Sequence, residues 1–455
     1  MSTTLKNIAG MSLGTFFSRA TGFLKLALMG AVLGLSPAAD AYNLAHVLPA
    51  MIYELVLGGI LSAVFIPVVV EQLALPDRDR AWRNISQIVN AALLALGGAT
   101  IACWLASYQL VQIQTLKADS GTRHLVWFFF IFFVPQIFLY GLSALASGIL
   151  NARERFVAAA FAPVVNNLVA IAALAAYKLV PGFGLAGLAL GTTLGVLGQA
   201  IFQLPSLRKA GWRYYPKVSF RHPAVRQIIS LSWPVLLYVV FNQINLVVQN
   251  NLAIRIPGGV SALQYAFQFY LLPHGLFAVS IGTVLLPQLS ALAVRKDWAG
   301  FAANIERGLV WSALVILPAS VVYAAFGQPI IQVLMQRGLF VRGDTEMMAG
   351  VLKYYALGLF PFTVYLFLNR AFYSLQDTKT PLGLNFIGNA FNSLFNLAIV
   401  GTMGAAGLAL GHAAAYTLIA LLSLGLIGRR IRELRWMVML RSEEHTSELQ
   451  SPNTI

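Results

Sequence analysis

Charge is what this chain has least of. Only 10% of its 455 residues are Asp, Glu, Lys or Arg, and 58% are hydrophobic; the mean hydropathy is +0.74. A soluble domain keeps roughly a quarter of its residues charged. Polar groups therefore cannot cover this surface, and lipid must solvate most of it. Acidic residues are scarcer still, 16 against 31 basic, which leaves a formal net charge of +15. That excess does not indicate a nucleic-acid partner, because no basic face interleaved with aromatics is present. The basic residues fall between apolar runs, where they orient a membrane chain and meet anionic headgroups. Cysteine is limited to Cys103, so no intrachain disulfide can form and the compartment cannot be read from thiols. No phosphate-binding G-x-x-x-x-G-K-[ST] loop occurs, and no hydrophilic stretch is long enough for a nucleotide-binding domain. His/Cys metal spacings and a Ser/His/Asp set are missing too. Asp377-Thr378-Lys379-Thr380 has the wrong order for a phosphorylated-aspartate motif. These absences argue against an enzyme, a cofactor and a metal site.

What is present is a series of apolar runs, each near the roughly 20 residues a spanning helix needs. Six lie near 9–34, 41–72, 86–110, 125–150, 157–178 and 182–204, and six more near 227–253, 262–290, 306–328, 349–373, 382–402 and 405–427. The second six repeat landmarks of the first. Leu48-Pro49 recurs as Leu272-Pro273, and Val64-Phe65-Ile66-Pro67 as Val284-Leu285-Leu286-Pro287. The turn after Asn151, with Arg153-Glu154-Arg155, has its counterpart in Asp377-Thr378-Lys379. Pro49, Asn151, Pro273 and Asp377 are accordingly expected to be structural or gating positions.

The expected fold is an all-α integral membrane protein with two six-helix lobes. Six helices per copy bring both copies in from the same side, as in a parallel internal repeat. Residues 1–204 form the first lobe, 205–226 a basic cytoplasmic linker of coil, and 227–427 the second lobe. Residues 428–440 are expected to begin a further C-terminal region. Residues 441–455 break abruptly from the preceding composition and back-translate into a common sequencing adapter, so they are set aside as an expected artefact. At the other end no cleavable signal precedes the first run, which Arg19 and Lys25 interrupt; it is expected to stay as the first helix.

Loop charges set the orientation. Arg78, Arg80 and Arg83, then Arg153 and Arg155, then Arg208, Lys209, Arg213 and Lys217 lie on alternate connections, with Arg295, Lys296, Lys379 and Arg429–Arg430 following in the second half. The positive-inside rule then places the N-terminus in the cytoplasm.

Ionisable residues inside spans are expensive, so each is a functional candidate. The first half holds Arg19, Lys25, Asp40 and Glu54. The bland alternatives are specific: snorkelling for Arg19 and Lys25, a cap on the second helix for Asp40, and an ion pair with Lys25 or Arg19 for Glu54. The second half offers amides instead, Asn242, Gln243, Asn245, Gln249 and Asn250 on the seventh run and Gln268 on the eighth. Interhelical hydrogen bonding accounts for such groups without a substrate.

Several short motifs resemble one family in order along the chain. They include Ser18-Arg19-x-x-Gly22-Phe23, Asp40-Ala41 with Leu48-Pro49, Gly59-x-x-Ser62, and Phe65-x-Pro67. Further on stand Ile149-Leu150-Asn151, Arg155-Phe156, Ala162-Pro163, Leu285-Leu286-Pro287 and Phe372-Tyr373-Ser374-x-Gln376-Asp377-x-Lys379-Thr380-Pro381. This set resembles the MurJ/MviN lipid II flippases of bacterial cytoplasmic membranes. The resemblance implies a MATE-like exporter fold enclosing a cationic cavity. It also implies export of an undecaprenyl-pyrophosphate-linked peptidoglycan precursor, with membrane lipids and cell-wall synthesis proteins as partners. By position, Arg19, Lys25 and Asp40 match functional charges of the family, and Glu54 and Gln268 complete the expected substrate set. Two further cavity arginines are replaced, by Tyr53 and Gln268. The 382–402 run carries no carboxylate, so the sodium site of some members has no counterpart. The competing readings are an exporter of another lipid-linked polysaccharide, a drug/cation antiporter (which would want cavity carboxylates), and a non-transporting membrane scaffold.

Overall fold

The breaks in the helices are as informative as the helices. The computed structural model describes residues 3–58, 64–218, 223–275, 279–431 and 433–434. Gly59 and Ser62 of the family motif, residues 219–222 of the expected linker, and the tail 441–455 lie outside them. The described residues are overwhelmingly helical and include no strand.

By their contacts the residues divide into two units, 1–261 with 333–344, and 262–332 with 345–455. The first contains α1 (Thr3–Leu33), α2 (Pro37–Tyr53), α3 (Ile66–Leu73), α4 (Arg78–Leu105), α5 (Ser107–Gln114), α6 (Ser120–Phe133), α7 (Gln136–Ala152), α8 (Phe156–Leu179), α9 (Gly184–Lys209) and α10 (Pro223–Ala253). α11 (Gly259–Pro273) starts in this unit. The second contains the rest of α11 with α12 (Val279–Arg295), α13 (Trp298–Met335), α14 (Arg342–Ser374) and α15 (Lys379–Arg430).

Among the described residues seven helices are long and apolar enough to cross a membrane, and α6 with α7, bent by 42° where they meet, would make an eighth. α15 counts once there but has 52 residues, roughly 78 Å if straight at 1.5 Å per residue, more than twice a bilayer's ~30 Å core. It breaks at Gly404 (φ 57°, ψ −139°), between the runs expected at 382–402 and 405–427.

The repeated landmarks produce repeated geometry within each unit. Pro49 lies inside α2, and a π-helical turn, Glu54–Gly58, follows before α3. Pro273 ends α11, and residues 274–275 again take the π form before α12. A proline removes one helical N–H and crowds the preceding turn, so wide turns just downstream are its natural consequence. The α7–α8 turn closes with Arg155 N donating to Leu150 O (2.8 Å), with Glu154 at φ 57°. The α14–α15 turn closes identically, Asp377 N to Phe372 O (3.0 Å) with Gln376 at φ 58°. Both are six-to-one helix stops with a left-handed residue.

Small residues let the first unit pack without a hydrophobic drive between helices. α8 lies against α1 and α9; a Cβ at Gly191 of α9 would meet the Ala173 Cβ at 2.3 Å. The second unit buries Phe301, Tyr365, Leu368, Phe372 and Ile427.

The segment expected as coil linker is partly structured. Residues up to Lys209 extend α9, and 212–218 lie along α4. Asn90 donates to the carbonyls of Tyr215 and Lys217, both at 2.9 Å, and Ser86 accepts from Tyr215 N. Trp212 stacks on Trp82, and Arg213 pairs with Asp79. The basic strap is thus fastened to the first unit before α10 begins.

Candidate substrate site

α1 carries the two cations. It runs from Thr3 to Leu33 without an internal proline, and Asn167 of α8 anchors its middle. The Asn167 amide donates to Ser18 O (3.2 Å) and Thr21 Oγ1 (3.1 Å), on either side of Arg19. Six residues at 100° each turn Lys25 about 240° from Arg19, and the two have different settings. Arg19 is exposed, Lys25 half-buried. Among the described residues neither has a hydrogen-bond or ion-pair partner.

His46 stacks on Tyr42 (centroids 6.0 Å, 4° between planes), meets Phe133 edge-on, and lies 3.5 Å from the Tyr140 hydroxyl. Tyr42 in turn bonds Thr192 at 2.8 Å. Tyr42 and His46 of α2 thus form one aromatic cluster with Phe133 and Tyr140.

Asp40 does not supply the side-chain cap of α2. The cap of α2 is Ser36, whose Oγ accepts from Ala39 N at 3.2 Å, with Pro37 at the first helical position. Asp40 is buried, 3% exposed, and its carboxylate is spent on the start of α11. Oδ2 accepts from Gly258 N (2.8 Å); Oδ1 accepts from Ser261 N (2.8 Å) and Ser261 Oγ (2.7 Å). Asn43 completes the network by donating to Ser261 Oγ at 2.9 Å. An anion at a helix N-terminus satisfies orphan amides and the local dipole. Gly258 (φ +76°) permits the approach, since a Cβ there would sit 2.8 Å from the Leu35 Cβ.

Glu54 is exposed at the start of the π turn. The expected alternative of an ion pair with Lys25 or Arg19 is not formed; among the described residues Glu54 has no such partner. Gln268, in the second unit, is exposed on α11. Of the seventh-run amides, Asn250 donates to Gln114 Oε1 (3.2 Å) and so packs helices. On the 382–402 run Asn389 donates to Asn385 Oδ1 (3.1 Å). Among the described residues no group of three or more His, Cys, Asp or Glu side chains is placed to hold a metal ion.

The four landmark residues lie at helix breaks and turns. Asn151 accepts from Glu154 N at the α7 stop. Asp377 accepts from the amides of Lys379 and Thr380, both at 3.0 Å, and pairs with Arg430 at the far end of α15. Burial pushes the Asp377 carboxyl up, but the Thr380 and Arg430 bonds outweigh it and hold the group below the usual carboxylate range. Pro49 is buried within α2, and Pro273 at the end of α11.

Sequence reading missed Ser261, Gly258 and Asn43. The signal was there in Gly258-Gly259-Val260-Ser261, a small-residue helix start ahead of an apolar run, but nothing local names Asp40 as its partner.

Apolar helices broken at matching prolines, the first of them carrying two cations with no ion-pair partner among the described residues, define an all-α integral membrane protein built as a transporter. Comparison with known proteins gives the same class and narrows it. The model of the family "Lipid II flippase MurJ" matches residues 29–446. A relative from Rhizobium meliloti, described as a probable lipid II flippase MurJ, is 31% identical over 418 residues, covering 89% of this chain and 77% of its own. Among solved structures, a lipid II flippase MurJ in an inward closed conformation superposes with TM-score 0.78 at 25% identity, over 92% of this chain and 87% of the other. An inward-facing multidrug resistance MATE family transporter shares the fold alone, with TM-score 0.75 at 16% identity over 91% and 95%. The chain belongs to the lipid II flippase MurJ family.

Proposed function

We propose that this protein exports an undecaprenyl-pyrophosphate-linked peptidoglycan precursor, lipid II, across the bacterial cytoplasmic membrane by alternating access, with its N-terminus in the cytoplasm. The carrying observation is Arg19 and Lys25: two cations on one membrane helix, neither with a carboxylate partner among the described residues. A pyrophosphate headgroup supplies the missing anion, and charge-assisted bonds offset part of its desolvation. Outward movement of that negative charge runs with an inside-negative potential, worth about 2.3 kcal/mol per charge per 100 mV.

Within this reading Arg19 and Lys25 hold the headgroup, and Glu54 and Gln268, both exposed, contribute polar contacts. Asp40 acts as a positioning residue, since its oxygens are engaged by Gly258 and Ser261. The lobes follow the repeat, 1–204 and 227–427, with 205–226 between them. Basic residues on alternate connections support the orientation. The released precursor would pass to the cell-wall synthesis proteins that consume it. An exporter of another lipid-linked polysaccharide is the second reading, favoured by Tyr53 and Gln268 at positions where the family carries arginine. The test is expression in a bacterium depleted of its own lipid II flippase. Restored growth and precursor export support the first reading, and failure despite correct membrane insertion supports the second.

A further inference from the structure

The strap after α9 lies at a definite depth. The 86–110 apolar run begins near Ser86, and Asn90 stands about one turn inside it; these two residues hold Tyr215 and Lys217. About one turn before the run, Trp82 stacks on Trp212, with ring centroids 6.4 Å apart and planes 15° apart. Residues 212–218 therefore follow α4 across the edge of the apolar core, at the level of lipid headgroups. Trp and Tyr concentrate at that level, and Trp82, Trp212, Tyr214 and Tyr215 all fall there.

The strap's backbone is committed to the protein, which turns its side chains outward. The chain leaves α9 through a six-to-one stop, Trp212 N donating to Leu207 O (3.2 Å), with Gly211 at φ 79°. Ser86 Oγ donates to Arg213 O (3.3 Å) and accepts from Tyr215 N (3.2 Å). Arg213, Tyr214, Lys217 and Val218 are exposed, Tyr214 by 56% and Val218 by 41%.

The local acids are already engaged. Arg83 pairs with Asp77 (3.6 Å) and Arg213 with Asp79. Arg208 and Lys209, in the last turn of α9, and Lys217 on the strap are exposed and have no ion-pair partner among the described residues. An acidic soluble partner would match these cations but not the exposed Tyr214 and Val218. An anionic lipid matches both, with a phosphate for the cations and an interface for the apolar side chains.

We propose that the strap is a binding surface for anionic phospholipid headgroups, in which Arg208, Lys209 and Lys217 meet the phosphates and Tyr214 and Val218 enter the interface. This surface is independent of the precursor that the protein exports.

The test uses the full chain with Cys103→Ser and Tyr214→Cys, labelled with an environment-sensitive fluorophore, in nanodiscs of phosphatidylcholine with or without phosphatidylglycerol. Phosphatidylglycerol is expected to shift the emission to the blue and to lower quenching by acrylamide several-fold. Salt at 1 M should reverse most of this change, because the screening length falls to about 3 Å. Arg208→Gln, Lys209→Gln and Lys217→Gln together should abolish it, while Lys117→Gln, an exposed cation elsewhere, should not. An unfolding midpoint in phosphatidylcholine equal to the parent's checks that the triple variant is folded. Emission that phosphatidylglycerol leaves unaltered, or a shift that the folded triple variant retains, would overturn the assignment. So would an equal shift produced by soluble polyglutamate, which would mark a surface for any polyanion.

Discussion

Ser261 gives Asp40 two hydrogen bonds, one from its amide at 2.8 Å and one from its hydroxyl at 2.7 Å, across 221 residues of chain. Gly258 gives a third. The ranking of variants follows. Asp40→Ala leaves two buried amides and a hydroxyl without acceptors and should lower stability by about 1–3 kcal/mol. Ser261→Ala keeps the Ser261 amide bond and should cost about 1 kcal/mol. Thermal unfolding in detergent checks the order. Equal losses would mean that the hydroxyl, not the carboxylate, carries the network.

Asn167 holds α1 on both sides of Arg19. Asn167→Leu keeps the volume and removes both bonds. We expect a loss of about 1 kcal/mol in unfolding experiments together with reduced export, although neither cation is altered. Full export with an unchanged unfolding midpoint would show that α1 needs no such anchor.

The Asp377–Arg430 pair joins the two ends of α15, and its pH dependence has a definite sign. The folded carboxyl is held below its ordinary value, so its contribution is complete above the ordinary carboxylate pKa and fades as pH falls through the lower, folded one. Arg430 is 45% exposed, which limits the pair to about 1 kcal/mol or less. Asp377→Asn should therefore be less stable than the parent at pH 7, with the difference starting to fade near about pH 4 and lost only below the lowered, folded pKa. A difference that persists unchanged at low pH would contradict the ion pair.

The strap over α4 presents Arg213 and Lys217, both exposed, as trypsin sites. Asn90→Ala deletes the two bonds that fix its carbonyls. Cleavage at these positions in the purified protein should become several-fold faster, and an unchanged rate would show that the bonds of Ser86, Trp212 and Arg213 suffice to hold the strap.

Much of this architecture is legible residue by residue. The apolar runs anticipate the spans because lipid demands continuous hydrophobicity, and Pro49 and Pro273 anticipate the breaks because proline removes a helical N–H. The matching stops at Glu154 and Gln376 are foreshadowed by the repeated turn, although neither is the glycine that usually marks such a site. Asp40 is legible as a candidate, for the substrate or for a cap on α2, but nothing local points to its partners at 258 and 261. The strap was read as free coil because its bonds run from Ser86 and Asn90 to backbone groups, which leave no mark in composition. The backbone bond from Leu339 N to Ala31 O leaves no mark for the same reason, since it depends on glycines 34 and 338 meeting in space.

The central claim is that Arg19 and Lys25 grip an anionic headgroup for export. The direct measurement is lipid II export by the protein and by Arg19→Ala and Lys25→Ala, each at matched membrane abundance in cells depleted of their own flippase. The parent should restore export, and each alanine variant should lose most of it, with Arg19→Lys retaining part. Normal export by both alanine variants would contradict the account.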